Sequence, residues 1–235
     1  MIGIIDSGSG GFNVIRACSK YFKEDYVYIY DDLNGPYGNM SVEKLETITK
    51  NNIDYLIKNY NLDLIIIACN TASSILDIKN YDIKVPILKT NPNLCECDNC
   101  LLFATKNTIE HNNNVKFYLY NYNNFKTVYI KDLPKFIDEY LENKTNKNKQ
   151  KIIAKLKVKF CNKKGIKNKY KNIKYLSLGC THFKHIELFL NEIFKNKITY
   201  VYCEEIVAKN AKYLIRKNKK IDTIKVLKTS EIFNH

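Results

Sequence analysis

Cys69 and Cys180 are the residues of this sequence best placed to do chemistry. Each closes an apolar run of strand length, residues 63–68 in one case and 173–179 in the other. Each is followed by polar residues, Asn70 and Thr71 or Thr181 and His182, where a helical pattern begins. A lone buried cysteine is usually a packing residue. Asn-Thr and Thr-His, however, pack poorly at the end of a buried strand and serve well to bond a ligand or cap a helix. Two strand-end cysteines with similar polar neighbours are a reactive-site layout, since side chains that gain and lose protons can act there as acid and base. A free thiol titrates near about pH 8.5, so each cysteine needs a neighbour that sets its protonation state. Asp6 is the candidate partner of Cys69, and His182 of Cys180. A shared site would titrate as an ensemble, not as separate thiols. Asp6 alternatively caps the helix after it, and His182 alternatively serves a structural role at its helix start.

The elements that must position these groups read as alternating strands and helices. A strand at residues 2–5 leads into Asp6-Ser-Gly-Ser-Gly-Gly, a turn that permits close backbone approach to a ligand, and a helix over 13–21 aims its first amides there. A strand at 26–30 precedes a loop over 31–38, and Ser41 is a natural N-cap for a helix over 42–59, with Glu43 in its first turn. The strand bearing Cys69, a helix over 71–80 and a strand at 84–88 complete a parallel α/β unit. Farther on, a strand at 101–104 is followed by a polar turn, 115–120 reads as a strand flanked by loops, and 133–141 as a helix. The basic run 143–150 reads as a solvated turn between helices, with a helix over 152–164 after it. The strand ending at Cys180, a helix from 187, a strand at 198–202, a helix over 205–216 and a strand near 223–227 finish the chain. Two strand-Cys units predict an α/β fold of two parallel-sheet lobes related by a pseudo-twofold, residues 1–94 with 205–235 and residues 95–204, with both cysteines in the cleft between them.

Composition narrows the function classes. Of 235 residues 45% are hydrophobic, and no apolar run reaches membrane-spanning length, so no membrane role is expected. The start lacks a basic head and meets Asp6 at once, which reads as a first strand and not as a secretion signal. Eight cysteines without an export signal suit a reducing, cytoplasmic setting. The net charge of +14 would attract anions, but Lys, Asn, Ile and Tyr are abundant together while Arg is scarce, so nucleic acid is not expected as a partner. Cys95, Cys97, Cys100 and His111 are zinc-ligand types at irregular spacing with no second cysteine pair, so a surface loop is expected there and no metal.

Asp-Ser-Gly-Ser-Gly-Gly at 6–11, Pro-Tyr-Gly at 36–38, Ala-Cys-Asn-Thr-Ala-Ser at 68–73 and Leu-Gly-Cys-Thr-His at 178–182 resemble, in order and spacing, the signature segments of the glutamate racemases. The wider relatives are the aspartate, glutamate and hydantoin racemases. The resemblance implies a cofactor-independent racemase with Cys69 and Cys180 as the two bases, aided by Asp6 and His182. It implies that Ser7, Pro36, Tyr37, Gly38, Asn70, Thr71 and Thr181 hold an amino-acid substrate, with Thr105 and Thr108 lining the pocket. It also implies that a glutamate near Glu142 assists one cysteine, that a homodimer is admissible, and that D-glutamate for a bacterial cell wall is the product. Asn70 and Thr71 alternatively cap a helix, and Tyr37 alternatively packs a loop. The alternatives for the whole chain are a racemase of another acidic amino acid, such as aspartate, or a degenerate relative that only binds ligand or RNA. The sequence departs from the family after His182, where Phe183-Lys184 replaces Tyr-Pro, at 87–92 after Val85-Pro86, and at 202–204, where Tyr-Cys-Glu replaces an Asp-Ser type of pair.

Overall fold

The apolar runs become strands buried on both faces, as parallel sheets require. The computed structural model describes residues 1–78, 83–94, 99–122, 124–195, 197–215 and 223–233. The first sheet contains β1 (Ile2–Asp6), β2 (Tyr26–Tyr30), β3 (Leu64–Ile67) and β4 (Ile87–Lys89). The second contains β5 (Cys100–Ala104), β6 (Lys126–Val128), β9 (Tyr175–Gly179) and β10 (Thr199–Tyr202), and β7 (Cys161–Asn162) pairs with β8 (Gly165–Ile166) in a separate hairpin. A last strand, β11 (Ile224–Lys228), returns to the first sheet beside β2.

The order β2-β1-β3-β4 in the first sheet recurs as β6-β5-β9-β10 in the second, with every pairing parallel. Cys69 follows β3 and Cys180 follows β9, so the two cysteines leave equivalent strands. In each sheet that strand and its neighbour, β1 or β5, flank the point where the connections diverge, which is where open α/β sheets bind ligands.

Helices cover the faces. On the first sheet α1 (Gly11–Cys18) and α9 (Cys203–Leu214) pack Val14, Ile15, Val207 and Ala211 against Ile2, Ile4, Tyr28 and Ile66. On its other face α2 (Val42–Asn59) and α3 (Asn70–Ile75) bury Leu45, Ile53, Leu56 and Ala72. α2 has the expected bounds because Ser41 caps it, accepting from the Lys44 N–H. The second sheet is covered by α6 (Leu133–Glu142), α7 (Asn146–Phe160) and α8 (Glu187–Phe194) on one side, with α4 (Lys106–His111) and α5 (Asn113–Asn121) elsewhere on it. The short α10 (Thr229–Ile232) ends the described chain.

Several readings of the sequence are corrected. The stretch 115–120 is the helix α5, because the Asn112 carboxamide caps it by accepting from Asn114 and Val115, and Tyr118 stacks on Tyr122 one helical turn later. The polar turn after β5 is the start of α4, capped by Thr105. The basic run 143–150 is largely helical, since Thr145 caps α7 by accepting from Asn148, and the helix closes at Phe160, where the β7–β8 hairpin begins. The helix expected over 71–80 ends at Ile75, with Leu76 as its C-cap. Residues 79–80 lie outside the described residues, as do Cys95 and Cys97; Cys100 is buried within β5, and His111 ends α4. Among the described residues no helix is long and apolar enough to cross a membrane, and no cluster of His, Cys, Asp and Glu is arranged to hold a metal.

Candidate active site

The site assembles from four strand ends. β1 delivers Asp6 and Ser7, β3 delivers Cys69, β5 delivers Thr105, and β9 delivers Cys180. Cys69 is the N-cap residue of α3, and Cys180 precedes a 3-10 helix, Thr181–Ile186, that leads into α8. Both thiols are buried, each with a few per cent of its surface exposed.

Around Cys69 the neighbours are anionic. Ser7 Oγ lies 3.8 Å from Cys69 Sγ and donates to Asp6 Oδ1 at 3.4 Å, while the other Asp6 oxygen accepts from Thr181 Oγ1 at 3.0 Å. Asp6 is wholly buried, and burial pushes its carboxyl up to about 6, against the opposing charge of His182 and the Thr181 hydrogen bond. Burial, reinforced by Asp6, pushes the Cys69 thiol up to about 12, so at neutral pH this sulfur carries its proton.

Around Cys180 the neighbour is cationic. His182 Nδ1 lies 3.8 Å from Cys180 Sγ, and His182 Nε2 lies 3.1 Å from Asp138 Oδ2. Burial opposes charging of His182, but the charge of Asp138 and its hydrogen bond outweigh this and raise the imidazole well above its usual range. Desolvation likewise works to raise Asp138, and the His182 interaction overcomes it and holds that carboxyl below its ordinary value. The His182 cation therefore donates to Asp138 with one nitrogen and faces Cys180 with the other. A positive charge beside a sulfur is what favours a thiolate.

The glycine turn brings the two sheets together here. A Cβ on Gly8 would lie 2.5 Å from both Asp138 Oδ2 and His182 Nε2, and one on Gly10 would lie 2.1 Å from Thr181 Oγ1. These glycines permit close approach of protein to protein, where the sequence suggested approach to a ligand. Ser9 Oγ, in the same turn, donates to Asp138 Oδ1 at 2.5 Å.

The remaining expected residues are found in a hydroxyl cluster, against Asp31, along one cavity and beside Cys203. Thr71 Oγ1 lies 2.8 Å from Thr105 Oγ1 and 3.5 Å from Thr108 Oγ1, and Thr105 lies 2.9 Å from Thr108, so one cluster of buried hydroxyls spans both sheets. The Tyr37 hydroxyl donates to Asp31, and Gly38 abuts Thr105. Pro36 and Ser7 line a cavity of about 230 Å³ with Tyr30, Asp31, Asp138 and Glu142. Asn70 is buried and bonds to Cys203.

Glu142 is exposed at the end of α6, at the rim of that cavity; the acid that reaches His182 is Asp138, one helical turn earlier. Asp138 sits four residues after the buried Pro134, so helical periodicity alone places it on the buried face of α6. Sequence reasoning also missed Ser9, Cys203 and Asn13, whose carboxamide donates to the Thr181 carbonyl at 2.9 Å. Only the fold brings those three to the site.

Comparison with known proteins finds close relatives. The glutamate racemase of Clostridium botulinum (strain Loch Maree / Type A3) is 33% identical over 208 residues, covering 83% of this chain and 76% of that protein. Glutamate racemase 1 of Caldanaerobacter subterraneus subsp. tengcongensis is 31% identical over 241 residues, covering 98% and 87%. Among solved structures, glutamate racemase isoform RacE1 from Bacillus anthracis aligns with a TM-score of 0.78 at 19% identity, covering 97% of this chain and 88% of that one. Escherichia coli glutamate racemase in complex with L-glutamate and activator UDP-MurNAc-ala aligns with a TM-score of 0.76 at 19% identity, covering 93% and 84%. At these identities the structures speak to the fold, a two-lobed α/β arrangement of parallel sheets. No protein-family model matches the chain.

Proposed function

The chain belongs to the glutamate racemase family, by its identity to relatives most of whose length it covers, and on that footing we propose that this amino-acid racemase interconverts L- and D-glutamate by proton transfer between two cysteines. The observation that carries the reading is the opposite dressing of the two thiols, Cys69 beside Asp6 and Cys180 beside His182.

In one direction the Cys180 thiolate takes the α-proton, the C–H electron pair moves into the substrate carboxylate, and the Cys69 thiol delivers a proton to the opposite face. Cys180 ends as thiol and Cys69 as thiolate. The reverse direction runs from that state, with the charge of Asp6 making the Cys69 thiolate the stronger base. Side chains perform all the proton transfers. Ser7, Tyr37, Gly38, Asn70, Thr71, Thr105, Thr108 and Thr181 supply hydroxyls, a carboxamide and backbone amides for the ammonium and two carboxylates of glutamate. In a bacterial cytoplasm the D-glutamate formed would enter wall synthesis.

The test is optical. Purified protein mixed with L-glutamate alone should drive the rotation to zero, and the same should happen from D-glutamate. Rotation that persists with glutamate but is lost with aspartate would transfer the reading to aspartate; rotation that persists with both would leave a protein that binds without turnover.

A further inference from the structure

Cys203 is a third buried sulfur beside the two of the mechanism, and the structure gives it a definite set of partners. It is the first residue of α9, directly after β10, and is wholly buried. Its thiol donates to Glu204 Oε2 at 3.5 Å, and Glu204, buried itself, is ion-paired with Lys184 at 2.8 Å. The Asn70 carboxamide donates from Nδ2 to Cys203 Sγ at 3.1 Å. Asn70 Oδ1 is buried with no hydrogen-bond partner.

A thiol has one proton. Because that proton goes to the Glu204 carboxylate, the sulfur can only accept from Asn70, and the carboxamide must therefore turn its nitrogen to Cys203 and its oxygen away. A buried carbonyl oxygen left without a donor is costly unless something supplies one. It cannot be a carboxylate of the substrate, which brings only acceptors. An ammonium group brings three donors and a positive charge. Asn70 is the first residue of α3, directly after Cys69, and its Nδ2 bonds to Cys203 at the start of α9, so the orphan oxygen lies at the strand end that carries one of the reacting sulfurs.

We infer that Cys203 is a positioning residue: held by the Lys184–Glu204 pair, it fixes the orientation of the Asn70 carboxamide so that Oδ1 receives the ammonium group of the amino-acid substrate. The inference rests on the racemase reading and deepens it. It also joins two places where the sequence departs from its family, because Lys184 and the Cys203-Glu204 pair meet in one hydrogen-bonded chain.

The experiment compares two ligands that differ only in the group concerned. Glutamate carries the ammonium; glutarate has the same two carboxylates and lacks it. Cys203→Val, nearly isosteric and without a hydrogen-bonding sulfur, should weaken glutamate binding about tenfold while glutarate binding, measured by calorimetry, stays within about twofold. Cys203→Ser, whose hydroxyl can still donate to Glu204 and accept from Asn70, should recover most of the loss. If the valine variant does not fold, Cys203→Ala carries the same comparison. Equal weakening of both ligands would reduce Cys203 to packing and overturn the inference. Unchanged glutamate binding in a folded variant would overturn it while leaving the racemase reading intact. A parent protein that binds glutarate but not glutamate would remove both.

Discussion

Thr181 Oγ1 donates to Asp6 Oδ2 at 3.0 Å, a hydrogen bond that joins the residue after Cys180 to the carboxylate beside Cys69. The two halves of the proposed proton relay are thus connected through side chains of both sheets. The bond opposes the effect of burial on Asp6, so breaking it should move the acid limb of the activity. Thr181→Val should shift the lower inflection of kcat/KM, which reports the free enzyme, upward from about pH 6. An inflection that stays in place would show that Asp6 does not govern that limb.

Asp6 also has a stability consequence of determined sign. Its folded value of about 6 exceeds its ordinary 3.8, so between those values the folded chain binds more proton than the unfolded one, and stability falls as pH rises through that window. Above it the buried charge costs roughly 2–3 kcal/mol. Asp6→Asn, inactive or nearly so, should therefore melt higher than the parent at pH 8, with the difference closing toward about pH 3.5. Thermal melts at the two pH values check this; a variant less stable than the parent at pH 8 would contradict it.

Asp138 sustains the charge on His182, whose Nδ1 faces Cys180 Sγ at 3.8 Å. Asp138→Asn keeps the shape and removes the charge, and should lower kcat by about 10²-fold or more. Iodoacetamide should alkylate Cys180 before Cys69 in the parent protein, since Cys69 holds its proton to about pH 12. In Asp138→Asn that preference should shrink. Peptide mass spectrometry after brief labelling reads both, and preferential labelling of Cys69 in the parent would reverse the assignment of charges.

The close approach at Gly10 can be tested by crowding it. A methyl group there meets the Thr181 side chain at 2.1 Å and His182 Nδ1 at 2.9 Å, so Gly10→Ala must push the glycine turn away from the second sheet. Activity should fall at least about tenfold, in line with the sensitivity of positioned groups to displacements of an ångström. Full activity would mean that the junction is not part of the catalytic geometry.

Much of this arrangement was legible in the chain. The strands bearing Asp6, Cys69 and Cys180 are apolar runs that end abruptly in polar residues, and Ser41 marks the start of α2. Less was legible where exposure and capping decide structure. In α5 only Val115 is buried, and Tyr120 is 88% exposed, so its apolar residues imitate a strand while the Asn112 cap makes it a helix. In α7 the lysines hide a helix start that Thr145 fixes. Ser9, Asp138 and Cys203 escaped because their meaning is relational: each gains a function only from a partner more than a hundred residues away or across the sheet boundary.

The central claim is that separate groups serve the two faces of the α-carbon. Cys69→Ser and Cys180→Ser should each suppress racemisation in both directions by about 10³-fold or more while leaving the far-ultraviolet circular dichroism unchanged. The most direct test is on the parent protein in D₂O with L-glutamate, following the α-proton by NMR before equilibrium. The two-thiol account predicts deuterium in the D-glutamate formed and, at early times, almost none in the remaining L-glutamate. Deuterium entering both enantiomers equally from the first turnover would mean that one group works both faces, and would contradict it.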